Sequence, residues 1–156
     1  MTVNNHSVLS TTFQNVNDLG RKASTADAMI VIHGHENLQL LTKQFPWPIS
    51  TVKDMIEHYG PNGQLMVQPQ NNKTKFEGPI SFYEVYPGTV ADALTALIES
   101  GAQFDATVYA GRPEDHSRKE ELLRCTLVMD LPDRDWENDT ALMFAGTIHF
   151  HWFANK

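Results

Sequence analysis

Short apolar runs and alternating apolar and polar residues predict about seven β-strands along this chain. Successive side chains of a strand point to opposite faces, so each such segment can bury one face and leave the other in water. The predicted strands cover residues 28–33, 37–43, 65–67, 76–86, 103–109, 121–130 and 142–153. The second of these segments is predicted to be the hairpin partner of the first.

The last two strands have the clearest alternation. In residues 142–153 one face is bulky and apolar, and it carries Leu142, Phe144, Ile148, Phe150 and Trp152. The other face places His149 and His151 next to each other. In residues 121–130 the apolar face is predicted to carry Leu123, Cys125, Leu127 and Met129.

One segment has the period of an α-helix instead. Its apolar residues recur along one side, and they are Val90, Ala93, Leu94, Leu97 and Ile98. Thr89 is predicted to cap the first turn with Asp92 three residues later, and Gly101 is predicted to end the helix. The pattern therefore predicts a helix that packs one face against the strands.

Two polar regions interrupt this regular pattern. Residues 1–27 are rich in Asn, Ser and Thr and predict an extended N-terminal arm or a weak edge strand. Residues 60–75 are broken by Gly and Pro and predict a long loop that carries one short strand. Residues 51–58 fit either a helical turn or a strand. The sequence thus favours a mainly β domain, a sandwich or barrel with one helix on one side.

Composition narrows the class of protein. A chain of 156 residues suits one domain, residues 1–156, and its 41% hydrophobic content is enough to form a core. Nineteen acidic against twelve basic residues give a net charge of -7, which disfavours a surface that grips nucleic-acid phosphates. A single cysteine excludes a disulfide framework and suits a reducing cytoplasm. No signal peptide or membrane span is expected from the apolar runs.

Two pairs of histidines are the first candidates for chemistry. His33 and His35 are two residues apart, as are His149 and His151, and this spacing places both imidazoles of a pair on one strand face. Together the pairs could form a four-histidine metal site. However, no Asp or Glu stands next to His149 or His151 in the sequence as an obvious partner. The favoured interpretation is a polar strand face that meets water or another subunit.

Nucleophilic catalysis has little support. Cys125 alternates with leucines and is predicted to be a small core residue. The sequence has no Gly-x-Ser-x-Gly elbow, phosphate loop or dinucleotide fingerprint. No catalytic residue, cofactor site or metal site is therefore predicted, and the chain is not expected to be an enzyme.

Acidic clusters and loop tryptophans complete the set of candidates. Glu120 and Glu121 form a carboxylate pair, and a second cluster comprises Asp133, Asp135, Glu137 and Asp139. The second cluster lacks the glycine and the terminal glutamate of a calcium loop, so a solvated turn is favoured. Trp47 and Trp136 lie in predicted loops, where each fits a buried interface anchor as well as a ligand platform.

The order of elements resembles that of a known family. The segment GPISFYEVYPGTVADALTALIESGAQFDATVYAG is followed by a charged turn, a strand ending in Met129-Asp130 and the C-terminal strand GTIHFHWF. This order over residues 25–156 resembles the tail tube proteins of contractile-tailed bacteriophages. The fold is shared by the tube protein of type VI secretion systems and by tube-like baseplate proteins.

The resemblance implies both a fold and a function. The expected fold is two packed antiparallel sheets flanked by one helix. The expected function is that of a structural virion protein, in which six copies form a ring, inner strands join into a barrel around a channel, and rings stack into a tube. Sheath, tape-measure and baseplate proteins would be its partners, DNA would pass without specific binding, and the protein would lie in the virion tail. The alternatives are a baseplate relative, a type VI tube protein and, outside this class, a metal-binding barrel enzyme.

Overall fold

The computed structural model describes residues 5–154, which form eight strands and two α-helices. The helices are α1 (His6–Asp18) and α2 (Thr89–Glu99). The strands are β1 (Met29–Ile32), β2 (Thr42–Gln44), β3 (Met55–Tyr59), β4 (Leu65–Pro69), β5 (Lys75–Tyr83), β6 (Phe104–Arg112), β7 (Asp115–Met129) and β8 (Met143–His151). Short 3-10 helices occupy Glu36–Leu40 and Pro61–Gly63. No helix of the described residues is long and apolar enough to cross a membrane.

Six strands form one antiparallel sheet in the order β1-β6-β7-β8-β5-β2. The long strand β7 joins the two halves, because it pairs with β6 on one side and with β8 on the other. Side chains from both halves meet in a single apolar cluster, so the halves pack around one core. The prediction of a mainly β domain flanked by a helix is confirmed.

The core consists of the inward faces of the strands and of α2. Its fully buried side chains include Ile30, Ile32, Leu38, Ile80, Phe82, Val90, Val108, Leu122, Cys125, Ile148 and Phe150. The alternation in β8 is confirmed, since Ile148, Phe150 and Trp152 are buried while His149 and His151 point to the other face. Removing this much apolar surface from water is the main favourable term in folding.

Strand β7 differs from its predicted pattern. Leu122 and Cys125 are both buried, whereas Leu123 is only half-buried. The cause is a register shift between Leu123 and Thr126, at which Arg124 adopts a left-handed φ of 49°. An extra residue in one strand of a pair moves the following side chains to the other face. Strict alternation from Leu123 to Met129 was therefore wrong at its start.

Helix α2 is confirmed, but its cap is not the predicted one. The N-cap residue is Gly88, and Thr89 is already inside the helix. Glu84 supplies the carboxylate instead, accepting hydrogen bonds from the backbone N–H groups of Val90 at 3.0 Å and Ala91 at 2.9 Å. Gly101 ends the helix with a φ of 112°, a conformation that glycine adopts without strain.

Two predictions about the first third of the chain were wrong. Residues 37–43 do not pair with β1. They contain most of a 3-10 helix and the start of β2, and β2 pairs with β5. Residues 1–27 were predicted to be an extended arm, yet His6–Asp18 is helical. Residues 1–4 of that arm lie outside the described part of the chain.

Candidate assembly surface

A hairpin of β3 and β4 projects an uncovered apolar surface. Every residue of both strands is exposed, and the ladder continues through the Val52–Asn72 bridge toward the body of the domain. On one face of the hairpin Tyr59 pairs with Leu65, and Tyr59 is 77% exposed. An isolated two-stranded hairpin is at best marginally stable in water. The hairpin thus has the character of a surface that a partner covers.

The predicted loop of residues 60–75 is partly explained by this hairpin. The short strand expected at residues 65–67 is confirmed as part of β4. The undecided segment of residues 51–58 supplies most of β3. Pro61–Gly63 forms the tip, where Asn62 takes a left-handed φ of 61°. Two strands alternate too weakly here to be recognised as a pair, because neither buries a face.

Helix α1 is the second uncovered surface. Asn5 caps it, since its side-chain Oδ1 accepts a hydrogen bond from the Ser7 N–H at 3.0 Å. None of its described residues is buried. Its exposed apolar side chains, together with the residue that follows the helix, are Val8, Leu9, Phe13, Val16 and Leu19. The spacing of Leu9, Phe13 and Val16 is that of one helix face, and this signal could have revealed α1 from the sequence.

The edges of the six-stranded sheet form the third surface. Within residues 5–154, β1 pairs only with β6 and β2 only with β5, so each leaves one side unpaired. A groove of about 580 Å³ adjoins these edges, and its lining includes Ala28, Phe45, Trp47, Ala110 and Arg118. Free strand edges are templates for pairing with another chain. Both edge strands are short, which limits unspecific pairing.

The structure does not bring the two histidine pairs together. His33 follows β1, and its Nε2 is hydrogen-bonded to Thr107 Oγ1 at 2.9 Å. His149 lies on β8, with Nδ1 3.4 Å from Glu77 Oε2. Strands β6 and β7 lie between β1 and β8 in the sheet. Within residues 5–154, no three His, Cys, Asp or Glu side chains are grouped so that they could hold a metal ion.

The contact between His149 and Glu77 corrects one detail of the sequence interpretation. No acidic residue stands next to His149 along the chain, but Glu77 on β5 is the residue opposite His149 across the strand pair. The pairing of distant strands brings such groups together. Because Glu77 is largely exposed, this pair adds little to stability.

Cys125 lies in the core, as predicted. Its side chain is fully buried, and its Sγ is 3.5 Å from the Leu122 carbonyl oxygen. Burial, together with the negative charge of Asp105, raises the pKa of the thiol to about 12. A thiol with this pKa is almost entirely protonated near neutral pH and is a poor nucleophile.

The acidic clusters and tryptophans have separate positions. Glu120 accepts a hydrogen bond from Trp152 Nε1 at 3.0 Å, which anchors the end of β8. Asp133, Asp135, Glu137 and Asp139 lie in the exposed loop between β7 and β8. Trp136 in that loop is fully exposed, whereas Trp47 packs against the core. Trp47 therefore contributes to the core of this domain, and the ring of Trp136 lies in solvent.

Comparison with known proteins gives the fold. A chain in the anti-feeding prophage cap (AFP tube terminating cap) has a TM-score of 0.55 and 12% identity, covering 85% of this chain and 89% of its own. This chain has the tail-tube fold. A second similar chain belongs to the sheath-tube complex of an extracellular contractile injection system, PVC, in its extended state. Its TM-score is 0.54 and its identity 13%, and the match covers 87% of this chain and 92% of the other.

The tail-tube fold also occurs in the PVC sheath/tube terminator in its extended state, where the TM-score is 0.55 and the identity 12%, over 85% of this chain and 94% of the other. No family model matches the sequence, and no curated protein matches it. At such low identity the likeness establishes the fold alone. The resemblance stated from the order of elements is confirmed at that level.

Proposed function

We propose that this chain is a structural subunit of a contractile-tail tube. Six copies form a ring, inner strands of neighbouring copies join around a central channel, and rings stack into a tube inside a sheath. The tail-tube fold supports this role, as do its counterparts in a sheath-tube complex and in tube terminators. No catalytic role is proposed.

The observation that carries the proposal is the apolar surface that the domain leaves uncovered. The hairpin of β3 and β4, helix α1 and the two sheet edges have no partner within the described chain. Contiguous exposed apolar surface is uncommon on monomers and marks interaction sites. Ring closure covers strand edges, and stacking of rings covers projecting hairpins.

The remaining partners follow from the same proposal. A sheath protein surrounds the tube, and tape-measure and baseplate proteins contact its interior and end. DNA passes through the channel without specific binding, which the net charge of -7 favours because adhesion to phosphates would slow its passage. The protein would be assembled in the host cytoplasm and reside in the tail of the virion.

A terminal ring is the second candidate function. Two of the compared structures are a tube terminating cap and a sheath/tube terminator, and both match this fold over most of their length. A terminator has a free outer end, so it would form single rings or pairs of rings. A baseplate relative or a type VI tube protein would have the same fold.

Negative-stain electron microscopy of the purified full chain at increasing concentration tests this proposal. We expect rings with a central hole, and stacks of rings if the chain is a tube subunit. Single rings at every concentration would favour the terminal ring. A monodisperse monomer in light scattering at millimolar concentration, with no rings in the images, would contradict both functions.

A further inference from the structure

Helix α1 needs a partner that the described chain does not provide. Isolated helices of this length are marginal in water, and an amphipathic helix gains most of its stability from packing its apolar face. Phe13 lies on that face and is 72% exposed. The opposite face is polar, with Ser7, Thr11 and Gln14. The apolar face alone is therefore suited to docking.

A groove on the same domain has a matching apolar character. It lies between α2 and the adjoining ends of β6 and β7 and has a volume of about 490 Å³. Its apolar lining includes Leu94, Ile98, Phe104, Leu127 and Met129. Ile98 was predicted to pack on the sheet with the rest of the α2 stripe, but it is 61% exposed. The groove is the part of the stripe that the sheet does not cover.

The charges of helix and groove are complementary. Glu99 is the charged residue that lines the groove. Residues 5–22, which contain α1, carry two basic residues, Arg21 and Lys22, against one acidic residue, Asp18. This segment thus has a net charge of 2 − 1 = +1 in a chain whose net charge is -7. Opposite charges at the rim of an apolar contact favour encounter and fix its orientation.

The groove stays open in the single chain, which favours α1 of a second copy as its occupant. The linker between α1 and β1 enters the sheet at Met29, which pairs with Tyr109 on β6. The groove lies at the other end of β6, at Phe104, which is five residues or about 17 Å away. The linker of residues 19–28 could span about 33 Å when extended, yet α1 buries none of its described residues, so it does not fill its own groove in this structure.

We propose that α1 of one copy binds in the groove between α2 and the β6–β7 ends of a neighbouring copy. Phe13 and Leu9 enter the groove beside Ile98, and Arg21 or Lys22 approaches Glu99. The contact links each subunit to the next without using a sheet edge. The contact adds a specific interface to the proposed tube. It rests on the proposed function, because the tube provides the neighbouring copies at high local concentration.

Cross-linking between two different single-cysteine variants tests the contact. Phe13→Cys and Ile98→Cys, distinguished by a mass tag on one of them, are mixed at assembly concentration and oxidised. Both positions are exposed, so circular dichroism should show unchanged folding. The native Cys125 is buried and should not react. We expect a disulfide-linked heterodimer, at least about tenfold more abundant than with Thr11→Cys, the matched control on the polar face of α1.

A charge exchange tests the orientation. Glu99→Lys should lower the cross-linking yield, and so should Arg21→Glu combined with Lys22→Glu. All three substitutions together should restore much of the yield, because the two opposite charges are exchanged. Lys53→Glu, on the hairpin side of the chain, is the control and should leave the yield unchanged.

The outcomes separate this contact from the proposed tube. Rings without heterodimer cross-links would overturn the helix-groove contact and leave the tube standing. Cross-links only within the chain of a Phe13→Cys, Ile98→Cys double variant would show that α1 occupies its own groove, which also overturns the proposal. Heterodimers without rings would support the helix-groove contact and contradict the proposed tube function.

Discussion

Helix α2 buries Val90, Ala93 and Leu97 against the sheet, whereas helix α1 buries none of its described residues. Both helices carry an apolar face of helical spacing. The difference is one of support: Glu84 holds the first turn of α2, and the sheet covers its stripe, while a polar linker separates α1 from the domain. An apolar stripe thus forms part of the core in one case and stays exposed in the other.

The largest expected effect concerns the buried helix. Leu97 is 5% exposed, so Leu97→Ala should lower the free energy of unfolding by about 2 to 5 kcal/mol through loss of packing and cavity formation. Phe13→Ala in α1 is the matched change and should alter it by less than about 0.5 kcal/mol. Urea unfolding of the monomer measures both. Equal destabilisation would mean that α1 belongs to the core.

The support of α2 can be weakened without touching its apolar face. Glu84→Gln should lower the free energy of unfolding by about 0.5 to 2 kcal/mol, since its carboxylate caps the first turn. Glu57→Gln, on the exposed hairpin, is the control and should have no measurable effect. If both variants unfold at the same urea concentration as the wild type, the cap contributes nothing.

Acid should act at the same position. Partial burial raises the pKa of Glu84, but hydrogen bonds from Val90, Ala91 and Val85 and the positive charge of Arg134 outweigh it, so the pKa lies below its ordinary 4.5. Because the pKa is lower in the folded state, the carboxylate's contribution to the free energy of unfolding is complete above the unfolded-state pKa. It is lost as the pH falls through the folded-state pKa. The difference in free energy of unfolding between the wild type and Glu84→Gln should therefore shrink in acid. A constant gap from neutral pH to below 4 would contradict this.

The hairpin extends the comparison to a second uncovered surface. Leu65→Thr with Val67→Thr should change the free energy of unfolding by less than about 0.5 kcal/mol, because both side chains are more than half exposed. The same variant should lose stacked rings in electron micrographs. Threonine has the β-branched shape that suits a strand, so the hairpin itself should persist. Normal stacks would show that this apolar face is not a contact.

The smallest expected effect concerns the outer face of β8. His149→Ala with His151→Ala removes the contact to Glu77, an exposed pair worth about 0 to 1 kcal/mol. Elemental analysis of the wild type should find no bound metal, and the double variant should fold normally. Stoichiometric zinc, nickel or iron that disappears in the double variant would revive the metal-binding alternative.

Much of the candidate assembly surface was not recognisable in the sequence. The strand at residues 65–67 and the polar character of the N-terminal arm were recognisable. Helix α1 was missed because its three spaced apolar residues are outnumbered by Ser, Thr and Asn. The partner of β2 was also missed. Because β2 follows β1 in the chain, the sequence predicts a hairpin of the two strands. Only the completed sheet shows that β2 instead pairs with β5 and forms an edge of the sheet.

The sequence by itself determined the elements whose apolar period is set by one buried face. Strand β8 and most of helix α2 are of this kind, since the buried residues of each lie on its predicted apolar face. The tertiary structure decided the rest. It placed Glu77 opposite His149, inserted the bulge at Arg124, and covered the α2 stripe while leaving Ile98 and the whole of α1 exposed. The physical reason is that periodicity marks which side of an element is apolar, whereas burial depends on what long-range pairing brings against that side.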